Sequence, residues 1–110
     1  MGYVVNGVEL ETDADGYLVT PDYSEEVVRV IAQAEGIELS DDHWKVVQYM
    51  RDQYKEHGQT PNFRNMLKDV AANVLPGCDS KALYDLFPLG PAKQCAKVAG
   101  LTKPFGKAGY

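Results

Sequence analysis

The groups in this chain able to do more than pack are two thiols, Cys78 and Cys95, two imidazoles, His43 and His57, and the lysines Lys93, Lys97, Lys103 and Lys107 near the C-terminus. A thiolate is a nucleophile and a sulfur acceptor; amides and cations lower its pKa, and burial raises it. Cys95 lies about one helical turn beyond Pro91, between Lys93 and Lys97, which favours the thiolate. On the same helix it shares a face with Ala92, Val98 and Ala99. That apolar face is expected to turn inward, raising the pKa and hiding the sulfur. Cys78 follows Pro76-Gly77 in a loop, with Lys81 nearby, and is expected to be more exposed. Two cysteines are too few for a disulfide scaffold. No spacing among Cys78, Cys95, His43 and His57 suits a metal, so neither metal nor cofactor is expected. His43 has the side chain of a general base, but no nucleophile stands beside it, and Asp41-Asp42 are explained by the positive end of a helix dipole. There is no P-loop, dinucleotide fingerprint or Ser-His-Asp order.

Charge divides the chain. Through residue 90 it holds sixteen Asp/Glu against seven Lys/Arg; beyond that come four lysines and no acid. An acidic body argues against generic nucleic-acid coating. The basic end can face the body itself, an acidic protein or RNA phosphate. No apolar run reaches the ~18–20 residues of a membrane span, and the N-terminus lacks a basic-then-apolar leader pattern. A cytoplasmic, monomeric protein without membrane contact is expected.

These residues must be positioned by a mainly α (α+β) fold of about five helices with an N-terminal β-hairpin. Asn6-Gly7 between Tyr3-Val4-Val5 and Val8–Thr12 is a type I′ turn signal. Asp13–Gly16 is a second turn, so the β element spans 3–19 with up to three strands. Apolar residues then recur at helical spacing. The first helix covers 22–35, with a cap in Asp22-Tyr23-Ser24-Glu25 and Gly36 at its end. The second covers 41–57, with Trp44, Val47, Met50 and Tyr54 inward and Gly58 closing it. The third covers 61–75, with Thr60 as cap and Pro61 first. Helices at 80–87 and 91–99 follow. Residues 1–100 are read as one domain and 101–110, punctuated by Pro104, Gly106 and Gly109, as a flexible C-terminal arm. Residues 54–64 form helix, glycine turn, helix, which offers Asn62, Arg64, Asn65 and Lys68 as DNA contacts if the pair is a helix-turn-helix. A plain αα corner has the same outline.

Over essentially its whole length the sequence resembles the DsrC/TusE family of small sulfur-relay proteins. The resemblance rests on Asn6-Gly7 through Asp15-Gly16-Tyr17-Leu18, on Glu35–Ser40 with His43-Trp44, and on Arg51-Asp52-Gln53-Tyr54. It continues through Thr60-Pro61 with Arg64, the stretch Leu83-Tyr84-Asp85-Leu86-Phe87-Pro88-Leu89-Gly90-Pro91-Ala92-Lys93-Gln94, Ala99-Gly100-Leu101 and Lys103-Pro104. It implies an orthogonal helical bundle, an N-terminal hairpin and a mobile C-terminal arm. One branch is the gamma subunit of dissimilatory sulfite reductase; the other passes sulfur toward 2-thiouridine in tRNA. The implied partners are therefore sulfur-relay or sulfite reductase proteins, or tRNA-modification machinery.

The family's chemistry uses a cysteine beside the C-terminus, which carries a persulfide or pairs with an upstream cysteine. By this resemblance the terminal position is Lys107 and the upstream one Ala96; Cys95 is one residue off, a rotation of about 100° on a helix. Thr102 also replaces the family's usual proline. An ammonium does not accept sulfane sulfur as a thiolate does. Arg64, Lys93, Lys103 and the Leu86–Gln94 stretch, the implied docking elements, are retained, with Lys107 beside them. The expectation is a binding or regulatory paralogue, more scaffold than enzyme. The alternatives are an active sulfur carrier using Cys95, and a helix-turn-helix DNA-binding regulator, a role proposed for relatives lacking both cysteines.

Overall fold

In the computed structural model, which describes residues 2–103, the chain opens with an antiparallel hairpin, β1 (Gly2–Val5) and β2 (Val8–Glu11), in which Val5 faces Val8 and Gly2 faces Glu11. Asn6 and Gly7 turn at φ 52° and 79°, the doubly positive pair of a type I′ turn. A third strand does not form; one bridge, Thr12 to Leu18, stands in its place. The Asp13 carboxylate explains this, because it accepts the Asp15 and Tyr17 N–H groups at 2.9 and 3.0 Å and closes a loop there. Tyr17 and Leu18 are folded into the core.

Helix α1 (Glu25–Ala34) begins later than residue 22. Its cap is Ser24, whose hydroxyl accepts the Val27 N–H, while Asp22 accepts the Ser24 N–H. Helix α2 (Asp41–His57) has the expected bounds and ends on Gly58 at φ 76°. Its start is a reciprocal box. Ser40 Oγ accepts the His43 N–H, and His43 Nδ1 accepts the Ser40 N–H at 3.0 Å. Nε2 therefore carries the ring proton and donates to the Leu86 carbonyl at 2.9 Å. His43 is spent on structure, so it has no general-base role.

Helix α3 (Phe63–Asp69) is capped by Asn62, which accepts the Asn65 N–H at 2.9 Å. This corrects the assignment of Thr60 as cap. Asn is as strong a cap as Ser or Thr and lies two residues closer to the apolar stripe. A π-helical turn, Val70–Val74, continues the helix. Helix α4 (Ser80–Leu86) is capped by Asp79, and α5 (Pro91–Val98) starts on proline.

Helix α5 is the centre of the molecule: six of its eight residues are buried, and it packs against α1, α2, α3 and α4. Around it Ile31, Met50, Met66, Leu83 and Phe87 are fully buried, whereas Trp44 and Phe63 only flank this core. Among the described residues no helix is long and apolar enough to cross a membrane.

Candidate functional site

Of the two thiols, Cys95 is wholly enclosed, 0 % exposed. Burial pushes its pKa well up, and the nearby Arg51 charge offsets this only in part. The inward face shared with Ala92, Val98 and Ala99 outweighs the flanking Lys93 and Lys97. Cys78 is half-buried; its thiol contacts the Asp79 carbonyl at 3.6 Å, and burial with the Asp79 and Asp42 charges raises its pKa too. Neither environment favours a thiolate at neutral pH. Among the described residues no group of three or more His, Cys, Asp or Glu side chains could hold a metal ion.

The root of the C-terminal segment is fastened by Arg51, a residue of α2 only 5 % exposed. Its Nε donates to the Ala99 carbonyl at 2.8 Å, and its terminal nitrogens donate to the carbonyls of Asp22, Tyr23 and Ser24. The Asp22 N–H in turn donates to the Gly100 carbonyl at 2.9 Å. Gly100 sits at φ 77°, and a Cβ there would lie 2.4 Å from the Asp22 carbonyl oxygen, so glycine is required. Leu101 is buried, and the Thr102 and Tyr54 hydroxyls are 2.9 Å apart. The chain is thus packed onto the body through residue 102. Lys107, Pro104 and the rest of the expected arm lie outside the described residues.

On either side of that root a lysine meets an acid of the body. Lys103 bonds to Asp15 in the loop that follows β2. Lys97 lies 3.7 Å from Glu35 and over the ring of Tyr17. Glu35 also accepts from Gln94, whose Oε1 takes the Leu89 N–H. The Lys93 carbonyl accepts the Tyr17 hydroxyl at 3.2 Å. Lys93 itself lines an apolar groove of about 370 Å³ with Phe63, Tyr84, Leu89 and Pro91. Leu89 is 73 % exposed and Tyr84 46 %, and the Phe63 and Tyr84 rings stand 5.5 Å apart. Arg64, exposed on α3, directly follows Phe63 in sequence.

The four residues offered as DNA contacts do not form one reading face. Asn62 is occupied as a cap. Asn65 and Lys68 line a separate pocket of about 290 Å³ shared with α2, whose lining does not include Arg64. Helix α3 has seven residues before the π turn, and the corner is a plain αα connection.

Sequence reasoning missed Arg51 and Tyr17 as anchors of the C-terminal root. For Arg51 a signal existed: Val47, Arg51 and Tyr54 share the inward stripe of α2, and a charge there demands buried acceptors. Tyr17 gave none, because its partner Lys93 is distant in sequence.

A family profile described as "DsrC like protein" matches residues 4–107. The "Sulfurtransferase TusE homolog" of Haemophilus influenzae is 47% identical over 104 residues, covering 91% of this chain and 94% of that protein. The "Sulfurtransferase TusE" of Escherichia coli (strain K12) is 46% identical over 103 residues, covering 92% and 94%. Among solved structures, Allochromatium vinosum DsrC superposes with a TM-score of 0.85 at 38% identity, covering 93% of each chain. The oxidized gamma-subunit of the dissimilatory sulfite reductase (DsrC) from Archaeoglobus fulgidus gives 0.81 at 36% identity, covering 94% of this chain and 97% of that one.

Proposed function

The chain belongs to the DsrC-like family, and on that premise we propose that it is a sulfur-relay component that docks to sulfur-handling partners without carrying sulfur on a thiol of its own. The observation that carries this reading is Cys95, which has no exposed surface and a raised pKa. By the family resemblance the terminal cysteine position falls on residue 107, which is lysine here, and an ammonium is neither soft nor nucleophilic at neutral pH. Docking falls to the groove of Phe63, Tyr84, Leu89 and Lys93, with Arg64, Lys103 and Lys107 as cationic contacts. The partner class is a sulfur-relay or sulfite reductase protein, with tRNA-thiolation machinery the form the TusE likeness offers. In this role the protein competes with a thiol-bearing carrier for the same partner.

A second reading has its own support: relatives at 46–47% identity are named sulfurtransferases, which favours an active carrier. It requires either exposure of Cys95 by movement of α5 or use of Cys78.

Intact-mass spectrometry after incubation with a cysteine desulfurase and cysteine separates the two. The docking reading expects no sulfur retained on the folded protein, together with slowed sulfur delivery when the protein is added to a relay containing a thiol-bearing carrier. One added sulfur atom that disappears in Cys95→Ser or Cys78→Ser replaces the docking reading with the carrier one.

A further inference from the structure

A line of contacts runs from the start of the tail to the apolar groove beside Lys93. Lys103 bonds to Asp15. The next residues of that loop follow α5: the Gly16 backbone lies against the Lys97 ammonium, which stands over the Tyr17 ring. The Tyr17 hydroxyl then reaches the Lys93 carbonyl at 3.2 Å, and Lys93 lines the groove with Phe63, Tyr84, Leu89 and Pro91. Lys97 and Lys93 are about one helical turn apart, a rise of ~5–6 Å. Seven residues follow Lys103 in the sequence, Pro104-Phe105-Gly106-Lys107-Ala108-Gly109-Tyr110. Extended, they span up to ~23–25 Å, well beyond that turn. Leu89 and Tyr84 leave apolar surface in water, and an aromatic ring covers such surface favourably. The seven residues carry two rings, Phe105 and Tyr110. A tether this short presents its end at roughly millimolar effective concentration, so a contact too weak to join two molecules is populated within one.

We propose that residues 104–110 of the same chain seat in this groove, through the rings of Phe105 and Tyr110 against Leu89 and Tyr84. The seated tail shields the groove, and a docking partner has to displace it. The shielding rests on the docking reading above; the seat itself does not.

The experiment measures nuclear Overhauser contacts in the full chain, with leucine methyls and aromatic rings labelled. Contacts from the Leu89 methyls to the Phe105 and Tyr110 rings are expected, with relative intensities unchanged on about tenfold dilution. Leu89→Ala, at an exposed position, should shift the Phe105 and Tyr110 signals and leave the melting temperature unchanged. Phe105→Ala/Tyr110→Ala should in turn shift the signals of Leu89 and Tyr84. No such contacts, or contacts that fade on dilution because the tail of a second copy supplies them, would overturn the seat. The shielding is read in a relay containing a thiol-bearing carrier. If two thirds of the molecules hold the tail in the groove, the double variant should slow sulfur delivery at about one third of the parent's concentration. A double variant no more potent than the parent would overturn the shielding. If neither protein slows delivery, the docking reading falls and the shielding with it, while the methyl-to-ring contacts still decide the seat.

Discussion

A thiol enclosed on every side pays to ionise, and for Cys95 that cost has a measurable counterpart in stability. In the unfolded chain the thiol loses its proton near pH ~8.5; in the folded protein burial holds the proton on. The native state then binds more protons than the unfolded one above that pH. The Cys95 contribution is complete below it and is lost as pH rises, at no more than ~1.4 kcal/mol per pH unit. Cys78 shifts in the same direction, so the comparison is made in a Cys78→Ser background. Tyr17, pushed up to about 12, and the similarly raised Tyr3 and Tyr49 enter only above pH ~10. Urea midpoints between pH ~8.5 and ~10 should therefore fall steeply with Cys95 present and nearly level off in Cys95→Ala. Equal slopes in the two proteins would show that the sulfur reaches water. Burial of this residue was legible in the sequence because its neighbours at helical spacing are all small and apolar. That Asn62 rather than Thr60 would cap α3 was not: Thr60, Pro61 and Asn62 are all plausible helix-start residues, and only the path of the loop decides which one caps.

At the level of elements, Arg51 joins three separate stretches: α2, the 22–24 connection before α1, and the end of α5. Its guanidinium serves four carbonyls and stands over the Tyr23 ring, with no carboxylate in hydrogen-bond contact among the described residues. Arg51→Ala would leave the buried Ala99 carbonyl and three partly buried carbonyls without their donor, so a loss of about 2–4 kcal/mol is expected in denaturant unfolding. Arg51→Lys keeps the charge but not the planar fork, and should recover only part of it. A loss under ~1 kcal/mol for the alanine variant would mean that water satisfies these carbonyls. The helices themselves were readable from apolar periodicity, with α2 falling on its expected bounds. Two local features were not. The third strand failed because a single Asp13 side chain captured the backbone donors it needed. The π turn after Asp69 leaves no mark on a pattern of apolar residues, since one wider turn shifts the stripe by less than a residue type can report.

Across the whole molecule, the separation of an acidic body from a basic end sets up two fastenings of different kind. The root, through Arg51, Gly100 and the Tyr54–Thr102 pair, is buried or partly buried and depends on hydrogen bonds that salt barely screens. The next contact outward, Lys103 with Asp15, joins side chains 56 % and 55 % exposed; such a solvated pair contributes little to stability and weakens with ionic strength. The charge asymmetry was plain in the sequence. The particular acid was not, because Asp15 lies 88 residues away, in the loop after β2, and becomes a neighbour only when Tyr17 of that loop packs against Lys93 and Lys97 of α5. The two fastenings should separate in relaxation measurements. Raising salt to ~1 M, where the Debye length is ~3 Å, should lower order at Lys103 while Leu101 and Thr102 stay rigid. Asp15→Asn should reproduce that loss at low salt, with the urea midpoint essentially unchanged. If Lys103 keeps the same order in salt and in the variant, the contact is set by the packed root alone, and the charge asymmetry has no hold on the start of the tail.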